Sequence, residues 1–182
     1  MKLYPGMCLK ALLLTATLPA LICLGGLRIN ISSSIPLGLY RELPAETPAR
    51  GSLILSCLPE PWARLASERG YTGAGPCSSD TLPVGKYLAA LPGDCVSISA
   101  AGMQVNGTLL PSSAPLPYDG KGRPLQGCNW SGCLKSGEYL LYSITPSGFD
   151  SRYFGPVNSG SFITALEPLI TKKSSAASGT GS

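Results

Sequence analysis

Histidine is missing from all 182 residues of the chain. Its absence excludes a Ser-His-Asp triad and nearly all zinc chemistry, and leaves lysine as the base for any serine nucleophile. Charge is sparse as well: 13% of residues are charged, the net charge is +4 and the pI is near 8.7. No basic cluster interleaves with aromatics, so nucleic acid is not an expected partner. The seven cysteines include no CxxC pair, and without histidine they do not compose a metal site. No metal or organic cofactor is expected. Helical periodicity is nearly absent after the first 27 residues, internal repeats are absent, and only one long apolar run occurs.

That run, residues 7–27, is apolar except for Lys10. About 20 residues at 1.5 Å rise cross a hydrocarbon core of about 30 Å, so it is expected to be a retained transmembrane anchor. A cleaved signal peptide is the rival, but no small-x-small cleavage pattern follows the run. The expected organisation is a short cytoplasmic N-terminus (1–6), the anchor (7–27), one domain (28–171) and a solvated tail (172–182). Glycine and proline total 39 residues, which predicts short strands joined by irregular loops. The fold class is therefore mainly β with one short helix. Strands are expected at 52–57, 86–91, 95–99, 104–110, 138–144 and 161–166, with Asn106-Gly107 as a tight hairpin turn. Pro61 and Gly70 bracket the helix, 62–69. Residues 111–124 read as a polar, proline-bearing loop. Among the soluble cysteines, Cys57 is expected to bond Cys77 and Cys128 to bond Cys133, leaving Cys95 over.

Chemistry concentrates just beyond the apolar run, in Ser32-Ser33-Ser34-Ile35-Pro36-Leu37-Gly38-Leu39-Tyr40. Ser34 is the candidate nucleophile. A serine hydroxyl needs a neighbouring base, and Lys86 is the candidate, a single ammonium in the apolar run Val84-Gly85-Lys86-Tyr87-Leu88-Ala89-Ala90-Leu91. Burial there would bring its pKa from about 10.4 to roughly 7 or 8, the range a general base needs. Asp150 and Arg152 alternate in Phe149-Asp150-Ser151-Arg152-Tyr153-Phe154-Gly155-Pro156 and suit an ion pair that holds this segment against the strand bearing Lys86.

These three stretches together resemble the type I signal peptidase (leader peptidase) superfamily, and within it the TraF-type peptidases of conjugative transfer. The resemblance spans residues 32–168, and it departs from general leader peptidases in having Ile35 where they carry methionine. It implies a signal-peptidase-like β domain and a Ser34–Lys86 dyad that works without a cofactor. Ser32 matches an oxyanion-hole donor, and Asp150 and Arg152 support the site. The family commonly has a serine two residues before the aspartate to hydrogen-bond the lysine. Here that position is Gly148, with Ser147 one step earlier, which leaves open whether Ser147 orients Lys86 or nothing does. The implied substrate is a pilin or another membrane-inserted precursor, cleaved and in some cases cyclised. The implied place is the bacterial inner membrane, with the domain in the periplasm beside other transfer components. The alternatives are a general signal peptidase for secreted proteins and a non-enzymatic scaffold of the transfer apparatus.

Overall fold

A computed structural model of the chain describes residues 26–31, 34–44 and 48–172. The expected anchor lies outside the described residues except at its end, where the boundary needs correcting. Gly26 turns the chain and Leu27 already opens a strand, β1 (Leu27–Asn30), which pairs antiparallel with β2 (Gly38–Leu43). Any membrane span therefore ends before Gly26. Ser32 also lies outside the described residues, as does the tail beyond Lys172, whose N–H still donates to the Leu37 carbonyl.

The chain then forms β3 (Leu53–Ser56), α1 (Trp62–Arg69), β4 (Val84–Ala90), β5 (Cys95–Ser99), β6 (Gly102–Val105), β7 (Thr108–Leu109), β8 (Trp130–Cys133), β9 (Glu138–Tyr142), α2 (Ser151–Phe154), β10 (Val157–Asn158) and β11 (Phe162–Thr171). Seven strands make one sheet, in the order β1-β2-β11-β3-β4-β9-β10, and four make a second, β7-β6-β5-β8. Central β3 reads Leu-Ile-Leu-Ser without alternation and is buried at all four positions, as a strand covered on both faces should be. On one face Ile35, Tyr40, Leu53, Leu55 and Leu166 pack together; on the other, Ile54, Leu88, Leu141 and Val157 do. The smaller sheet has its own core of Val96, Ile98, Met103 and Val105. Each such side chain contributes on the order of 1.5–3 kcal/mol when fully buried.

Local signals explain several elements. Gly70, in the left-handed region, ends α1 where expected. Asn106 and Gly107 both take positive φ and close the β6–β7 hairpin at the expected place. Gly38 lets β11 approach: a Cβ there would meet the Ile170 carbonyl oxygen at 2.1 Å.

Two further expectations are corrected. A second helix, α2, follows Asp150, whose carboxylate accepts from the Arg152 N–H and so caps a segment read as irregular. The disulfides are Cys57–Cys77, as expected, and Cys95–Cys133, which was not. β8 pairs with β5 in a register that sets Cys133 opposite Cys95. Cys128 stays a free thiol against Gly155, its backbone N–H donating to the Arg152 carbonyl.

Candidate functional site

β4 alternates, and the alternation buries Lys86 with Leu88 and Ala90. Lys86 faces Ile54 across β3 and is 1% exposed. Among the described residues no carboxylate lies within ion-pair distance of its ammonium. Burial is the main influence and lowers its pKa from 10.5 to about 8; the Asp150 charge opposes this and the Arg152 charge assists. A minor fraction of Lys86, about a tenth at pH 7, is then neutral, with a lone pair free to take a proton, and that fraction grows to about half at pH 8.

Ser34 reaches this lysine's surroundings through its neighbours. The Ile35 side chain lies against Gly85, where a Cβ would stand 3.0 Å from Ile35 Cδ1. The Ser34 carbonyl accepts a hydrogen bond of 3.1 Å from Ser143 Oγ. Ser143 follows β9 directly, and since Tyr87 faces Tyr142, the next position of that antiparallel register sets Ser143 across from Lys86. Ser34 is thus held at its carbonyl by the residue opposite Lys86 on one strand, while its neighbour Ile35 packs on the residue before Lys86 on the other.

Ser143 had no part in the sequence reading. It is 0% exposed, and its backbone is held from both ends: its N–H donates to Asp150 Oδ2 at 2.7 Å, and its carbonyl accepts from Arg152 Nη2 at 2.8 Å. Asp150 and Arg152 form a two-pronged pair, Nε to Oδ1 and Nη2 to Oδ2, both 2.8 Å, with neither side chain exposed. Arg152 Nη1 also donates to the Ser112 and Pro146 carbonyls. The pair therefore fixes the turn that carries Ser143, and Ser143 fixes Ser34. Gly148 gave the one sequence clue. A Cβ at 148 would stand 2.5 Å from Ser143 Cβ and 2.8 Å from Ser143 Oγ, so the Ser143 side chain fills the room a serine at 148 would need. Ser147 is exposed and lines a groove instead. Asp94 is a turn residue, held by Arg50 through two 2.7 Å contacts and accepting from the Leu91 N–H.

Two cavities meet at Ser34. One, of about 330 Å³, is mostly apolar and is lined by Ile29, Ile31, Leu55, Leu82 and Val84. The other, of about 450 Å³, includes Arg69, Asp119, Lys121 and Arg123. Tyr71 borders both. A peptide laid along them would cross the hydroxyl-bearing residue. Among the described residues no group of histidine, cysteine or acidic side chains could hold a metal ion.

Comparison with known proteins gives a consistent picture. Residues 9–168 match the family described as signal peptidase, peptidase S26. The plasmid transfer protein TraF of Escherichia coli is 40% identical over 153 residues, covering 81% of this chain and 85% of that protein. The probable conjugal transfer protein TraF of Sinorhizobium fredii is 37% identical over 150 residues, with 81% and 78% covered. The conjugal transfer protein TraF of Agrobacterium tumefaciens is 34% identical over 163 residues, with 88% and 92% covered.

Proposed function

Because the chain belongs to the signal peptidase family, peptidase S26, we propose that it is the serine peptidase of a conjugative transfer system, anchored in the inner membrane by the part of its apolar run that precedes Gly26. Its substrate is a pilin precursor. The observation that carries this reading is the buried Lys86, its pKa lowered to about 8, next to Gly85, which packs Ile35, and opposite Ser143, which holds the Ser34 carbonyl.

In the proposed reaction neutral Lys86 takes the Ser34 hydroxyl proton as the oxygen attacks the scissile carbonyl. The Ser34 N–H, with Ser32 as a second donor, stabilises the oxyanion. Lys86 returns the proton to the leaving amine as the C–N bond breaks, which leaves an ester on Ser34. Water, or the precursor's own amino terminus, then attacks the ester. Lys86 takes the proton of that nucleophile and passes it to Ser34, giving a linear or a cyclic product. The disulfides Cys57–Cys77 and Cys95–Cys133 favour the oxidising periplasm for this domain.

Mass spectrometry of the pilin from cells carrying wild-type, Ser34→Ala or Lys86→Arg chains tests the proposal. Processed pilin should appear only with the wild type. Processing by Ser34→Ala, or transfer that needs the chain but not Ser34, would refute it.

A further inference from the structure

The groove on the α1 side of Ser34 has an unusual charge balance. Among the described residues Asp119 is its one carboxylate, and that carboxylate is fully engaged. Oδ1 accepts from the Lys121 and Arg123 N–H groups, and Oδ2 accepts from the Tyr71 hydroxyl and Arg123 Nε, with Arg69 Nη1 at 3.6 Å. Partial burial acts to raise the Asp119 pKa, but these bonds hold it well below the usual carboxylate range, so its charge is permanent and spent locally. Three cations, Arg69, Lys121 and Arg123, stand in the groove against this one anion, a surplus of two charges. Arg69 Nη2 and Arg123 Nη1 have no hydrogen-bond partner among the described residues. Since no buried side-chain nitrogen among those residues lacks a partner, both open toward solvent. The exposed Lys121 makes no ion pair among the described residues. The apolar cavity on the other side of Ser34 offers no such surplus, because its Arg28 is paired with Glu42 at 2.5 Å.

We propose that this groove is a subsite for a carboxylate of the substrate, received by the free N–H groups of Arg69 and Arg123 with Lys121 at the rim. The inference rests on Ser34 being the nucleophile, since only then does the groove hold one flank of the scissile bond. Guanidinium groups suit a carboxylate because they offer paired N–H donors in a plane, and such charge-assisted bonds exceed neutral ones. Two sources share this chemistry: an Asp or Glu side chain a few residues from the scissile bond, or a free C-terminus close beyond it.

The test uses fluorogenic decapeptides spanning the precursor's cleavage junction. Each carries Glu or Gln two to four residues from the scissile bond, on either flank, and ends in a free acid or an amide. Wild-type kcat/KM should be about tenfold higher for the carboxylate form on one flank only. Glu against Gln, and acid against amide, tell the two sources apart. The ratio should fall toward one in Arg69→Gln, and Lys121→Glu should turn the preference toward a Lys-bearing peptide. Equal kcat/KM for charged and neutral forms in the wild type would overturn the subsite while leaving the peptidase reading intact. If no form is cleaved, the peptidase reading fails, and fluorescence anisotropy of the same peptides on Ser34→Ala decides the subsite: about tenfold tighter binding of the carboxylate form supports it, equal binding overturns it. A Lys121→Glu chain that loses phosphatidylglycerol vesicles but keeps the wild-type peptide ratio would make the groove a lipid contact and overturn the proposal.

Discussion

Moving one hydroxyl across the turn from 143 to 148 should separate its catalytic and packing roles. Ser143→Ala removes the 3.1 Å bond to the Ser34 carbonyl and should cost about 1 kcal/mol of stability. It should lower kcat by roughly tenfold to a hundredfold with KM little changed, because a nucleophile misplaced by about 1 Å loses on that order. Gly148→Ser alone should be worse for stability. Its Cβ would lie 2.5 Å from Ser143 Cβ, 2.8 Å from Ser143 Oγ and 3.0 Å from the Thr145 carbonyl oxygen, and overpacking of this kind costs about 1–3 kcal/mol. In Ser143→Gly/Gly148→Ser the first two contacts disappear and only the tight approach to Thr145 remains. The double variant should therefore be more stable than the sum of its singles by on the order of 1–3 kcal/mol. It should also regain part of the kcat lost in Ser143→Gly, as the hydroxyl returns to nearly the same space. Urea unfolding and peptide cleavage of the wild type, the three single variants and the double variant measure both effects. Additive stabilities, together with a Gly148→Ser chain as stable and active as the wild type, would refute the shared space and the positioning role.

Lys86→Met should be inactive yet more stable. Between pH 8 and 10.5 the unfolded chain holds a proton on Lys86 that the folded chain does not, so wild-type stability rises with pH across that window and the penalty is complete below pH 8. The gain should be roughly 3 kcal/mol at pH 7 and should vanish above 10.5 in urea unfolding. Asp150→Asn strands Arg152 in a fully buried site and should destabilise by about 3–5 kcal/mol. Where folded protein survives, the pH at which activity rises should move below 8, since the Asp150 charge supports protonated Lys86. Cys95→Ser with Cys133→Ser should cost about 2–4 kcal/mol, whereas Cys128→Ser should change stability by under about 1 kcal/mol, both read from thermal melts.

What could be read in the chain was local. Pro61 and Gly70 delimit α1, Asn106-Gly107 makes the hairpin, and the apolar neighbours of Lys86 announce its burial. What was hidden depends on pairing between distant segments. Cys133 meets Cys95 only because β8 lies beside β5, a register that no spacing of cysteines encodes. β1 and β2 were missed because Leu27 reads as the end of the apolar run, and the residues after it as a linker to the serine. Ser143 carries no local signal at all, being one serine after a strand. Its role emerges when Ser34, more than a hundred residues earlier, arrives beside it, and the unexpected Gly148 was its one trace. The cationic groove was likewise invisible, since Arg69 ends a helix and Arg123 sits in a loop that reads as merely polar.

The most direct test is single-turnover acylation of the purified full-length chain with an ester analogue of the precursor, followed by intact mass and peptide mapping from pH 6 to 10. The adduct should sit on Ser34, and its rate of formation should climb about tenfold per pH unit and level off near pH 8 as Lys86 loses its proton. Lys86→Arg should form no adduct, because a guanidinium does not deprotonate in this range. An adduct on another residue, a rate indifferent to pH, or unimpaired acylation by Lys86→Arg would contradict the Ser34–Lys86 account.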